Sequence, residues 1–179
     1  MATIYTVGHG TRSAAELGAL LAGAGVTRLV DVRRFPGSRH QPTVAREHLA
    51  RALPERGIAY DFYGEVLGGR RRARPHSRHR AWRNESLRAY ADHMDSAAFR
   101  TVLQRLEHDA GAEVLALMCA ETLWWRCHRR LIADALVLRG HEVIHLLDAH
   151  SRQAHDLHPG LRDEGGWPVY DGGQASLLP

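Results

Sequence analysis

Lysine is absent from this chain: all 24 basic residues are arginine. Codon usage in a GC-rich genome produces that bias without any function. The functional reading is anion recognition, because a guanidinium forks onto phosphate or carboxylate where an ammonium offers a point charge. Cysteine is scarce. Two in 179 residues make no disulfide framework, and a reducing cytoplasm is the expected setting. No apolar run approaches the roughly 18 residues of a membrane span. The opening "MATIYTVGHG" lacks the basic-then-apolar pattern of a secretory leader, so no membrane partner and no export are expected. Nucleotide-loop motifs are missing as well. No G-x-G-x-x-G and no Walker lysine loop follows a strand pattern, which argues against dinucleotide and P-loop binding. No cofactor is implied.

What is present fits one globular domain. An apolar content of 44% suffices for a core. The net charge of +4 permits a polyanionic partner without requiring one, and the 13 histidines raise it in mild acid. Short β-rich runs alternate with helical ones. Strands are predicted at 3–7, 27–32, 58–63, 113–119 and 142–147. The first helix, "SAAELGALLAGAG", carries the capping-box spacing Ser13–Glu16 and ends at Gly25. A second is expected from Thr43 as N-cap to Gly57, distorted by Pro54. "NESLRAYADHM" and "SAAFRTVLQRLEHDAG" read as two more, and a last helix is expected from Trp125 to Gly140. The alternation predicts an α/β fold, a mainly parallel sheet with helices on both faces, over residues 1–147. A basic insertion occupies 64–83, and an irregular tail is expected at 148–179.

In an open α/β sheet, ligands bind beyond the carboxyl ends of the strands. Unusual polar residues collect there: His9, Gly10 and Thr11 after the first strand, then Asp31, Arg33, Arg34 and Ser38 around the end of the second. Glu65 and Gly68-Gly69 follow the third, Cys119 and Glu121 the fourth, and His145 lies on the fifth. Loops are polar everywhere, but this set is His, Asp, Arg, Glu and Cys rather than Ser, Asn and Lys, which favours a functional cleft at the carboxyl edge.

The runs "TVGHGTRS", "LVDVRRFPGSR", "LGGRR", "AYADHM" and "LMCAE…WRCHRRLIADAL…G…V.H" resemble the domain of unknown function 488 family over roughly residues 3–147. The resemblance implies a compact α/β domain with a shared polar edge, and no particular reaction. That family commonly has serine after the glycine–histidine pair, whereas this chain has Gly10. Any hydroxyl role there passes to Thr11.

The densest chemistry lies in "MCAETLWWRCHRR", residues 118–130, which holds both cysteines. A metal site would draw on Cys119, Cys127, His128 and His9. Structural zinc pairs its cysteines as C-x2–4-C, and adjacent helical residues diverge by about 100°, so no metal is expected. The cysteine-phosphatase loop needs Cys-x5-Arg; Cys119 to Arg126 is one residue too long, and bulky Leu123, Trp124 and Trp125 replace the glycines of an anion cradle. Cys127 at a helix start beside Arg126, His128 and Arg129 is a candidate nucleophile, since dipole and cations both favour thiolate; it also fits as a small buried packing residue. The same helix start can bind an anion, with Arg126, Arg129 and Arg33 forking onto it. Glu121 and Asp31 would then serve as acid–base or orienting carboxylates, with His9 or His128 as proton partner.

The insertion "GGRRRARPHSRHRAWR" places seven arginines in sixteen residues. Arg70, Arg71, Arg72 and Arg74 could neutralise phosphates along a strand, with Trp82 stacking on a base. Two functions are therefore expected in competition. One is a small enzyme acting on a phosphate-bearing, nucleotide or nucleic-acid substrate, with His9, Asp31, Glu121, Cys127 and His128 as chemical groups and Arg33, Arg34, Ser38, Arg126 and Arg129 as binders. The other is a non-catalytic nucleic-acid-binding module built on residues 68–83. The expected partner is an anionic small molecule or nucleic acid.

Overall fold

The computed structural model describes residues 1–37 and 39–173. In chain order the elements are β1 (Thr3–Gly8), α1 (Ala14–Gly23), β2 (Arg28–Asp31), α2 (Arg46–Ala52), β3 (Ala59–Phe62), α3 (Gly64–Leu67), α4 (Glu85–Met94) and α5 (Ala97–Ala110). Then come β4 (Leu115–Cys119), α6 (Arg129–Leu138), β5 (Glu142–Leu146), β6 (Arg152–Ala154), β7 (Arg162–Asp163) and β8 (Pro168–Val169). Six strands form one sheet in the order β3-β2-β4-β1-β5-β6. The first five are parallel and β6 is antiparallel. The α/β architecture predicted from alternation is the one observed. No helix among the described residues is long and apolar enough to cross a membrane.

Strand β4 shows why the sheet is buried on both faces. All five of its residues are buried. Leu115, Leu117 and Cys119 pack with Tyr90, Phe99 and Leu131 of α4, α5 and α6, while Ala116 and Met118 pack with Leu17, Leu21 and Leu49 of α1 and α2. The period of two sends alternate side chains into two cores, so the run is apolar throughout rather than alternating. Each fully buried leucine contributes about 1.5–3 kcal/mol by transfer. At α1 the capping box forms as expected, with Glu16 N–H donating to Ser13 Oγ and Ser13 N–H to the Glu16 carboxylate.

Three expectations are corrected. The helix expected over 43–57 is three pieces: a 3₁₀ turn at Pro42–Val44, then α2, then a second 3₁₀ turn at Pro54–Arg56 that ends at Gly57 in left-handed backbone (φ 75°). Both prolines sit where a turn starts and an N–H is dispensable. Thr43 is not the cap; its hydroxyl accepts from Ala14 N–H instead. The helix expected from Trp125 begins at Arg129, preceded by a 3₁₀ turn at Trp124–Arg126 and by Cys127 in extended conformation (φ −120°, ψ 152°). The tail is not irregular throughout. β6 adds the sixth strand, and Tyr170 is fully buried, donating to Asp134 at 2.8 Å.

Candidate active site

The connection leaving β2 runs to β3 on one side, whereas the connection leaving β4 crosses β1 to reach β5 on the other. Chains that diverge in this way open a crevice beyond the strands' carboxyl ends. A pocket of about 450 Å³ lies there. The loop after β2 (Arg33, Arg34), the end of β4 and its loop (Cys119, Glu121) and the approach to α6 (Arg126, Cys127, His128) all line it. Gly69 and Arg70 from the insertion and Tyr90 from α4 complete the wall.

Its floor is a pair of thiols. Cys127 Sγ and Cys119 Sγ share a hydrogen bond at 2.9 Å. Because Cys127 is extended and stands two residues before the first residue of α6, its sulfur accepts the Arg129 backbone N–H at 3.4 Å, as an N-capping group would. The hydrogen bond from Cys119 and the adjacent Arg129 guanidinium hold the Cys127 thiol down to about 7, against the opposing effect of burial. Burial raises the Cys119 thiol well above the ordinary range, so Cys119 keeps the proton and donates it to the Cys127 thiolate. His128 completes the group. Its Nε2 lies 3.0 Å from the Val32 carbonyl, which can only accept, so Nε2 carries the proton and Nδ1 presents a lone pair 3.5 Å from Cys127 Sγ. Burial lowers the His128 pKa and keeps the ring neutral. Gly69 makes room for it: a Cβ there would sit 3.2 Å from His128 Nδ1.

Arg129 gives the floor its charge. The side chain is 1% exposed, and no carboxylate lies within ion-pair distance among the described residues. It donates to the Glu121 carbonyl at 2.9 Å and to Thr6 Oγ1 at 3.3 Å. From Thr6 a buried chain continues. Thr6 donates to His145 Nδ1 at 2.6 Å, His145 Nε2 to His155 Nδ1 at 2.9 Å, and His155 Nε2 to Asp134 at 2.9 Å. Each proton position follows from the acceptor at the far end: Asp134 fixes His155, and His155 fixes His145. His145 is neutral in this arrangement, in keeping with its lowered pKa, whose main cause is burial. Arg129 is thus separated from its counter-charge by a hydroxyl and two imidazoles, and its field falls on Cys127.

The wall around Arg33 is built differently. Asp31, fully buried, accepts from Arg33 Nε at 2.9 Å and Nη2 at 2.6 Å, and from Tyr60 Oη at 2.6 Å. Arg33 Nη1 reaches His9 Nε2 at 3.3 Å, and His9 Nδ1 donates to the Gly10 carbonyl at 3.0 Å. Burial lowers the His9 pKa, consistent with the neutral acceptor this requires. Of the five N–H donors of a guanidinium, these partners take three and leave two for the pocket that Arg33 lines.

Several expected site residues sit elsewhere than the sequence placed them. Asp31 and His9 stand behind Arg33 and do not line the pocket, so the geometry makes them holders of Arg33 rather than acid–base groups. Arg129 faces inward and supports the floor instead of forking onto a ligand. Glu121 is exposed at the mouth, its carboxylate accepting from Leu123 N–H at 3.0 Å. Arg126 is exposed there too, its guanidinium showing no hydrogen bond or ion pair among the described residues. Arg34 donates to the Glu65 carbonyl, and Arg70 lies 5.3 Å over the Phe35 ring. Ser38 lies outside the described residues.

The insertion is pinned rather than free. Arg71 caps carbonyls of Glu65, Val66 and Gly68, Arg78 pairs with Asp95 and Glu164, and His79 is fully buried. Trp82 is 5% exposed and packs on His158 (4.3 Å between ring centroids) and Tyr170 (5.3 Å), so it offers no face to a base. Arg72 and Arg74 remain exposed. Among the described residues, His79, Asp92 and Asp95 are the group with metal-ligand spacing. Asp95 is already engaged by Arg78 and His79, with Arg100 3.8 Å away, a cationic setting unfavourable to another cation. Sequence reasoning missed the thiol–thiol contact, Tyr90 and the Thr6–Asp134 chain. Tyr90 was within reach through the "AYADHM" run; the others join residues whose contact depends on the fold.

The chain matches the family described as Domain of unknown function DUF488 over residues 13–136, more than half its length, and belongs to that family. No curated protein and no solved structure matches it significantly.

Proposed function

We propose that this member of the DUF488 family is an enzyme that uses the Cys127 thiolate as a nucleophile on a phosphate-bearing or nucleotide-type substrate. The observation that carries the reading is the Cys127–His128–Val32 arrangement on the floor of an arginine-walled pocket: a nucleophile, a base within reach, and a group that orients the base. His128 Nδ1 takes any proton that Cys127 still holds. The sulfur attacks the phosphorus, the bond to the leaving oxygen breaks, and that oxygen takes the proton His128 received from the thiol or, where Cys127 was already thiolate, one from water. Water then releases the phosphoryl group from sulfur, or a second acceptor takes it. Arg126, Arg34, Arg70 and the two open donors of Arg33 bind the anion, and Glu121 at the mouth selects the leaving group by charge. The pocket uses guanidinium forks where a phosphatase loop uses backbone amides.

The non-catalytic nucleic-acid module loses its aromatic platform with Trp82 in the core. Arg72 and Arg74 still extend the positive surface past the rim, which keeps a phosphate carried on a nucleotide or a strand within the substrate class. Protection against alkylation tests the reading. Iodoacetamide should label Cys127, and inorganic phosphate or nucleoside monophosphates at millimolar concentration should slow that labelling in a saturable way. Labelling at an unchanged rate under all of them contradicts an anion site over the thiol.

A further inference from the structure

Cys119 donates a hydrogen bond to Cys127 but takes no part in the phosphoryl transfer. Cys119 is 2% exposed, ends the central strand β4, and lines the same pocket. Its sulfur lies 2.9 Å from that of Cys127, inside ordinary sulfur–sulfur contact. A disulfide needs about 2.05 Å between sulfurs, so less than about 1 Å of movement separates the dithiol from the bond. The flexible side of that gap is the 3₁₀ turn and the extended Cys127, since Cys119 is held in the sheet by pairing with Gly8. Cys119 is too buried to meet a substrate, yet ideally placed to meet whatever is bonded to Cys127.

We propose that Cys119 and Cys127 form a dithiol–disulfide redox pair in which Cys127 reacts with a small acidic disulfide and Cys119 resolves the product. The Cys127 thiolate attacks one sulfur of the disulfide; a sulfur–sulfur bond forms, the original one breaks, and the first thiolate leaves and takes up a proton. Cys119 then gives its proton to His128 or water and attacks the Cys127 sulfur, expelling the second thiolate, which is protonated in turn. The chain's two thiols are oxidised by two electrons, and one disulfide becomes two thiols. The arginine-lined mouth selects co-substrates bearing carboxylates, and the oxidised form lacks the free Cys127 sulfur. The proposal rests on Cys127 being the reactive thiol and is independent of whether phosphate is the natural substrate.

The test uses the reduced full-length chain with oxidised glutathione as the acidic disulfide and cystamine as its cationic counterpart. Oxidised glutathione should consume both thiols with no retained adduct, leaving a protein two hydrogens lighter whose peptide map joins Cys119 to Cys127. It should react about tenfold or more faster than cystamine at low salt. Cys119→Ala should trap a stable mixed disulfide on Cys127, and Cys127→Ser should leave Cys119 unmodified. Cys119→Ala removes a buried side chain, so the wild-type peptide map stands alone as evidence should that variant fold poorly. A wild-type chain that holds glutathione on Cys127 while Cys119 stays a free thiol overturns the redox pair and leaves the nucleophile reading intact. Cys127 inert to both disulfides and to iodoacetamide overturns both.

Discussion

Two buried arginines, Arg33 and Arg129, sit on either side of the same pocket floor and are handled in opposite ways. Arg33 meets its counter-charge directly: Asp31 holds it through two hydrogen bonds, with Tyr60 and His9 closing the arrangement. Arg129 meets none. Its nearest carboxylate along the hydrogen-bonded chain is Asp134, beyond Thr6, His145 and His155. A neutralised guanidinium positions; a guanidinium left without a neighbouring anion imposes its field on whatever acid lies beside it, and here that acid is Cys127. Together with the hydrogen bond from Cys119, which is the larger influence, that field holds a thiol only 8% exposed down to about 7 against its burial.

The comparison breaks most visibly at Asp31. Asp31→Ala strands a buried charge and should cost about 3–5 kcal/mol, read as a large drop in denaturant midpoint, with loss of the pocket's Arg33 wall. Arg129→Met should cost clearly less stability, because a buried cation with no ion partner is replaced by apolar volume, but it should raise the Cys127 pKa. Equal destabilisation by the two variants, with an unmoved thiol, would show that the two arginines play the same role.

Acid sharpens the comparison next. The folded pKa values of His9, His93, His128, His145 and His158 all lie below the ordinary histidine value, chiefly through burial. The unfolded chain therefore binds more protons than the folded one once the pH falls below about 6.5. Thermal stability should decline from there downward, ahead of the carboxylate window that opens below about 4, where the stability contributed by Asp95, held down to about 2, begins to be lost because the unfolded carboxyl protonates first. A midpoint flat between pH 7 and pH 5 would contradict neutral, buried imidazoles at His9, His93, His128, His145 and His158. Smallest in stability is Arg126→Ala. An exposed arginine without partners should change stability by no more than about 0.5 kcal/mol, while weakening phosphate protection of Cys127.

Much of this was legible in the chain. The five parallel strands announced themselves as short, largely apolar runs; of the polar residues just beyond them, Arg33, Arg34, Cys119 and Glu121 line one crevice, while His9, Asp31, Glu65 and His145 do not. What escaped had physical causes. β6, "RQA", is a short polar edge strand with no buried face to leave a pattern. α2 was overextended because its apolar spacing continues through Pro54, where the backbone turns to 3₁₀. Taking the helix to start at Trp125 placed Cys127 in its first turn, whereas the extended backbone there is what turns the sulfur toward Cys119. Trp82 looked like a nucleic-acid contact because of its arginine neighbours, but its packing partners, His158 and Tyr170, lie in the tail. The roles of Asp31, His9 and Arg129 depend on which way each side chain faces, and residue type alone does not encode that.

Cys127 ionises near neutral pH because the Cys119 thiol donates to it and the Arg129 guanidinium lies beside it. The pH dependence of iodoacetamide labelling, resolved by peptide mass for each cysteine, measures it directly. Cys127 should titrate at about 7, with Cys119 unlabelled until far higher pH. A Cys127 rate that follows an ordinary thiol, rising only above about pH 8.5, would contradict the account.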